Sequence, residues 1–510
     1  MTAQPGTAVW FAQHETRLVW RDWISMMTAG RRERLRRVTI AIVLFVAFMH
    51  VVADWSVGPY ADAVPDRQTL IAITASILLS WLLMVSQAME SITRAFYSRS
   101  DLDLILASPV TADRVFAVRV ATIAAAMAMM ALPLAGPFID ILVLRGGWRW
   151  LGAYGVILAM GATATALAVG LTVALFRLIG AKRTRLVAQV VAAAIGAAFV
   201  IGLQLAAILS YGTLSRAALL QSDVVLTHAP ELGSLFWWPA RASFGDGEAL
   251  AGVLAVSFLL LAAAIVLVAP RFGEYAVAAA GVSHARTAQG RRLTAFKKAS
   301  PQSALRRKEW LLLRRDPWLV SQTLMQMLYL IPPAVLLSRS FENGDGAYRL
   351  LVPVLVMAAG QLAGGLAWLA ISGEDAPDLV ASAPVPKNFI MKAKIEAVIA
   401  VIAVVFAPLV VALAFASPWH AVVTAAGIIV AATAATSIQF WFRTQAKRSL
   451  FRRRQVSSRV ATFAEAFSSI GWAATAAVAA ASLPLAIAPG LMAFAVVAGA
   501  WFMAPRAPDA

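Results

Sequence analysis

A chain of 510 residues that is 60% hydrophobic and only 14% charged is not a single soluble globule, since soluble domains carry about 25% charged residues. Cysteine is absent, which excludes disulfides, thiolate metal sites and cysteine nucleophiles. The formal charge of +18 would suit nucleic acid, but its placement along the chain argues for a membrane topology signal instead.

The first element in chain order is a helix over 8–30. His14, Arg17, Arg21, Ser25 and Thr28 recur at helical spacing, while Phe11, Leu18, Val19, Trp23, Met26 and Met27 lie mainly on other faces. Basic on one side and bearing Trp, it reads as a helix lying in the membrane surface; a plain basic flank of the first span is the alternative. Apolar spans are then expected to begin near Val38, Leu70, Val115, Leu151, Ala188 and Leu250. A second set begins near Trp318, Leu350, Ile395, Ala421, Ala461 and Leu491. Runs such as Leu70–Met89 and Leu250–Ala269 reach the ~20 apolar residues that a bilayer crossing needs. The fold class is therefore all-α, a polytopic membrane protein of ~12 transmembrane helices. With both termini cytoplasmic, all but seven of the 44 basic residues fall on the inner side, the positive-inside pattern. The exceptions are Arg67, Arg145, Arg149, Arg216, Arg241, Arg339 and Arg349. Arginine far outnumbers lysine and alanine is abundant, which fits a bacterial inner membrane.

One polar phrase occurs twice. "DLDLILASPVTADRVFAVR" from Asp101 and "APDLVASAPVPKNFIMKAK" from Ala376 align Asp103-Leu104 with Asp378-Leu379 and Pro109-Val110 with Pro384-Val385, each 275 positions apart. Ile195-Gly196 and Ile470-Gly471 keep the same offset, and "FRLIGAKR" at Phe176 resembles "FRTQAKR" at Phe442. The chain thus reads as two parallel six-helix repeats. The first, 1–271, holds the surface helix, an inside segment 101–114 and an external segment 211–247. A basic cytoplasmic linker, 272–301, joins it to the second, 302–510, with a surface helix 304–316 and an inside segment 376–388. Tandem parallel repeats are a transporter architecture. Each inside segment is too apolar for a solvated loop and too short to span. It packs either on the protein's own helices or in a groove of a soluble partner, and two copies suit a dimeric partner. Arg114 and Arg119, with Lys387, Lys392 and Lys394, read as basic anchors returning the chain to lipid.

At these residues the chain resembles the permease subunits of ABC-2-type exporters, in a tandem double-length form. The likeness rests on "RKEWLLLRRDPWLVSQ" at Arg307, the "DLDLILASPV" phrase, the six-span unit and the external segment after the fifth span. It implies a separate ATP-binding cassette subunit, in two copies, seated on coupling segments. Those roles fall on Asp103, Leu104, Ile105, Pro109 and Arg114, and on Asp378, Leu379, Val380, Pro384 and Lys387. The second half departs from the family, because its short external turn has no room for a re-entrant outer element.

No G-x-x-x-x-G-K-[ST] occurs, so ATP and magnesium would sit on the partner; this chain is expected to hold no cofactor and no metal, and to be a transport subunit rather than an enzyme. Membrane lipids, not nucleic acid, are its other expected contact. Two rivals stand beside this reading: a secondary transporter with two parallel six-span halves, and an integral membrane enzyme. Against them, no single span carries a ladder of acids or histidines, and His14, His50, His228, His284 and His420 are scattered. Glu90 and Glu465 are expected near inner span ends, solvated by water or arginine, with Asp140 toward an outer end. Pro332-Pro333 should kink the seventh span, and Trp237-Trp238 should anchor the outer interface.

Overall fold

The computed structural model describes residues 7–28, 35–97, 111–211, 222–281, 300–315, 351–372, 386–442 and 459–504, with isolated positions at 328, 331, 332, 335, 382 and 384. Among the described residues every regular element is a helix. Contacts divide the chain into two compact units, Met1–Ala207 with Ser215–Gly290, and Arg291–Ala510 with Ile208–Leu214.

The first unit runs through α1 (Ala8–Thr28), α2 (Leu35–Val57), α3 (Arg67–Tyr97), α4 (Ala112–Gly146) and, as far as Ala207, α5 (Gly152–Tyr211). It continues through α6 (Asp223–His228), α7 (Trp238–Ser243), α8 (Gly247–Val268) and α9 (Phe272–Gly281). The second comprises α10 (Pro301–Arg315), α11 (Leu351–Ser372), α12 (Lys387–Ala416), α13 (Pro418–Phe442), α14 (Arg459–Ala481) and α15 (Ile487–Met503). Among the described residues, nine helical stretches are long and apolar enough to cross a membrane. They are α3, α4, Trp148–Ala181, Gly247–Tyr275, Leu351–Ile371, Phe389–Ala416, α13, Ala461–Ala481 and Pro484–Met503. The chain is a multi-pass membrane protein. At the first expected span lies α2, whose apolar part is Ile42–Val57, and at the fifth the far limb of α5, with Val187–Ala198. The seventh, with its proline pair, lies largely outside the described residues.

Local chemistry explains one departure from the expected layout and one feature of the packing. The basic residues around Arg177–Arg185 suit an inside loop, yet helix continues through them, interrupted only at Gly180. There φ is +71° and ψ 161°, a conformation open to glycine almost alone. In the second unit α11 is the buried centre, 78% of its apolar stretch being covered. Its Gly360-x-x-x-Gly364 spacing lets α14 approach closely: a Cβ on Gly360 would stand 2.5 Å from Ser469 Oγ, and one on Gly364 2.1 Å from the Glu465 carboxyl carbon.

The stretch 222–246 packs onto the first unit and corrects one expectation. Trp237 is 1% exposed and lies with Leu70, Ile71, Trp150, Ala240 and Phe244, its Nε1 donating to the Glu231 carbonyl at 3.1 Å. It is a core residue rather than an interface anchor, because its one polar atom is satisfied inside the protein. The described arginines assigned to the outer side are engaged as well. Arg67 donates to the Leu226 carbonyl, Arg149 to those of Ala61 and Ala63, Arg145 pairs with Asp54 and Arg241 with Asp246. Asp246 also caps α8, accepting from Ala249 N–H at 3.1 Å. That amide foremost, then the Arg241 guanidinium, hold its carboxyl below the usual carboxylate range against the upward push of burial.

Candidate coupling site

Of the ten residues expected to dock a partner, Asp103, Leu104, Ile105, Pro109, Asp378, Leu379 and Val380 lie outside the described residues. Pro384 is exposed, Arg114 is exposed on the first turn of α4, and Lys387 is the first residue of α12. What the structure does describe is the root of each segment, where α4 follows Thr111 and α12 follows Pro386. Thr111 and Pro386 are both extended in ψ (140° and 131°), so helix starts abruptly at Ala112 and at Lys387.

Eight residues beyond Thr111, and again beyond Pro386, stands a buried base. Arg119 is 8% exposed, and its Nε donates to Glu15 Oε1 of α1 at 3.1 Å. Lys394 is also 8% exposed, and its Nζ lies 3.2 Å from Glu309 Oε1 and 3.3 Å from Oε2, on α10. Arg119 and Lys394 are 275 positions apart, the offset of the duplicated phrase. Neither is a lipid-facing anchor. The expected role is corrected, because a carboxylate of α1 or of α10 reaches in to pair with each. A buried charge left alone would be costly, so base and acid hold one another in place. Each acid sits one turn beyond an apolar residue, the buried Phe11 before Glu15 and the half-buried Leu305 before Glu309. One helix face therefore carries both packing and charge.

The two roots are reinforced differently. In the second unit Lys394 also donates to the Ala370 carbonyl in the last turn of α11, where helix carbonyls have no partner along the chain. One ammonium thus joins the helix leading into the segment, the helix leaving it and α10. An exposed bidentate pair, Arg306 Nε to Glu396 Oε2 at 2.5 Å and Nη2 to Oε1 at 2.8 Å, adds a second tie between α10 and α12. In the first unit the stems are joined by aromatic packing. Phe96, at the end of α3, lies 5.9 Å from Phe116 of α4, 5.3 Å from Phe176 and 5.4 Å from Phe272, ring centre to ring centre. Phe96, Phe116 and Phe272 are at most 1% exposed, and such pairs add about 0.5–1.5 kcal/mol each beyond burial.

The membrane-depth carboxylates fall into three situations. Glu90 is half-exposed with Arg94 at 3.4 Å, as expected. Glu465 is not solvated by water: it is 4% exposed and accepts from Gln439 Nε2 at 2.6 Å. Asp140 meets two side chains from other helices. Tyr154 donates to its Oδ1 at 2.5 Å, and His50 Nε2 lies 3.2 Å from its Oδ2. The scattered histidines hid this grouping, which joins α2, α4 and α5. No family model, curated protein or solved structure matches the chain.

Proposed function

We propose that the chain is the membrane-spanning permease subunit of an ATP-driven exporter of the ABC-2 type, made of two six-span repeats in a bacterial inner membrane. Both termini face the cytoplasm, and two copies of an ATP-binding cassette subunit seat on segments 101–114 and 376–388. The observation that carries this reading is the twin clamp. At the same offset as the repeated phrase, a base at the root of each segment is buried against an acid of an amphipathic helix. A push on either segment would reach a surface helix and a span together, through contacts that differ between two states, as coupling requires.

The test is purification of the full chain from its native membrane in mild detergent, with mass spectrometry of what accompanies it. An ATP-binding cassette subunit should co-purify with the wild type and be lost from a Leu104→Arg, Leu379→Arg double variant of equal thermal stability. Retention in that variant would refute the docking residues; absence of any such subunit from the wild type would refute the class. One observation favours a second reading, a proton-driven secondary transporter: the contact of His50, Asp140 and Tyr154. Uptake or efflux by proteoliposomes under a proton gradient, without ATP, would establish it in place of the first.

A further inference from the structure

The His50–Asp140 contact has a proton count that its geometry fixes. His50 Nδ1 lies 2.8 Å from the Val46 carbonyl oxygen, one turn back on α2. That oxygen can only accept, so Nδ1 carries the hydrogen. In a neutral imidazole Nε2 is then a bare lone pair, and it faces Asp140 Oδ2 at 3.2 Å. The other neutral tautomer would repair that contact and set a lone pair against the Val46 carbonyl. With Asp140 ionised, no neutral form of the ring satisfies both neighbours. One additional proton does, held between Nε2 and Oδ2, as imidazolium beside carboxylate or imidazole beside carboxylic acid. Tyr154 completes the arrangement by donating to Oδ1 at 2.5 Å, which leaves Oδ2 to meet the ring.

The pair sits at membrane depth. His50 is seven residues short of the end of α2 at Val57, and Asp140 six short of the end of α4 at Gly146. At 1.5 Å per residue this is about 10 Å below the turns that join the helices. The side chains are 34% and 46% exposed, so the unit does not seal them off. Ionisable groups at this depth belong by default to function rather than packing. Four charged groups toward the same helix ends are already engaged. On α2, Asp54 is held by Arg145 of α4 at 2.6 Å. Arg149, before α5, serves the Ala61 and Ala63 carbonyls, and Arg67 of α3 serves that of Leu226. None of these contacts supplies the missing hydrogen.

We infer that His50 and Asp140 form a binding site for a single proton, which latches α2 to α4 and opens when that proton is lost. Rising pH on the side carrying the 58–66 and 147–151 turns, the outside on the positive-inside reading, removes this tie and loosens α2 against α4, leaving the Asp54–Arg145 ion pair one turn further out as the remaining charged link. The site stands whether transport is driven by ATP or by a gradient, because it is read from helix separation and not from turnover.

The absence of cysteine makes the experiment direct. Val51→Cys on α2 and Leu144→Cys on α4, both exposed, carry spin labels on the full chain in phospholipid nanodiscs. The distance between them is measured at about pH 6 and about pH 9, spanning the range where histidine ordinarily changes charge. The wild-type background should give a short, narrow distribution at the lower pH and a longer, broader one at the higher. Asp140→Asn should stay short at both, since the carboxamide accepts from Tyr154 through its oxygen and donates to Nε2 through its nitrogen, replacing the proton by a permanent N–H. His50→Leu should stay long at both. A wild-type distribution unchanged between the two pH values, or an Asp140→Asn variant that still responds, would overturn the proposal. Opening at the lower pH on adding a chelator would overturn it too, by showing a metal ion in the proton's place.

Discussion

Glu309 and Lys394 show why a partner can be invisible in sequence. The base is legible as one half of a repeated pattern, but its acid lies 85 positions away, and in the first unit the separation is 104. What sequence does offer is a weaker signal, a lone acid in the basic helix Pro301–Arg315. Lys394→Met leaves the buried Glu309 carboxylate with only the more exposed Lys308, at 3.4 Å, as its base, and is expected to cost up to about 3–5 kcal/mol. Adding Glu309→Leu should return thermal stability in detergent to near the wild type, because an apolar pair of similar volume packs as well. A double variant no more stable than the single would show that the charges serve something other than each other. Asp246 makes a smaller test. Its Ala variant loses the cap on α8, about 1 kcal/mol. With the folded-state carboxyl held below its ordinary range, this stabilisation is present above the unfolded value, near pH 4, and fades as pH falls through the folded one. The stability gap between the wild type and Asp246→Ala should therefore shrink on acidification, and a gap that widened would refute the assignment.

At the scale of elements, apolar length is enough to place the membrane helices, because a span is a local property of ~20 residues. Packing is not local, and there the sequence misleads. Trp237 and Trp238 carry the composition of an interface belt, yet Trp237 fills the core beneath 222–246. The region near Arg177 has the basic residues of a loop in plenty, and a single glycine makes it a bend. Gly180→Ala should cost about 1–3 kcal/mol through backbone strain alone, since nothing stands within 4 Å of its would-be side chain. Gly364→Ala acts differently, driving a methyl into the Glu465 carboxyl and separating α11 from α14. Overpacking of this kind costs about 1–3 kcal/mol, and it should be relieved by shortening the acid in a Gly364→Ala, Glu465→Ser double variant. Thermal unfolding distinguishes the two: no second-site change beside Gly180 has anything to relieve.

For the molecule as a whole, the repeated phrase foretells the matching positions of Arg119 and Lys394 but not an equal use of the helices before them. The apolar stretch of α3 is 28% buried and that of α11 78%, although the 275-residue offset sets their last turns opposite one another. Similar phrases can specify similar local geometry while the surrounding side chains decide which helix becomes central. If the chain is the exporter subunit proposed and the clamps transmit motion, Glu15→Cys with Arg119→Cys, joined by a short bifunctional thiol reagent, should halt transport without releasing the proposed ATP-binding partner. Undiminished transport in the joined protein would make the clamp a fastening only.

The helix through Arg177, Lys182, Arg183 and Arg185, interrupted only at Gly180, has a practical corollary for anyone mapping this chain with enzymes. Trypsin must draw several residues into an extended form before it can cut, and here every candidate bond belongs to a coiled rod with just one permissive joint. Membrane vesicles with this face outward should keep the 152–211 fragment intact under brief digestion, despite four target residues within nine positions.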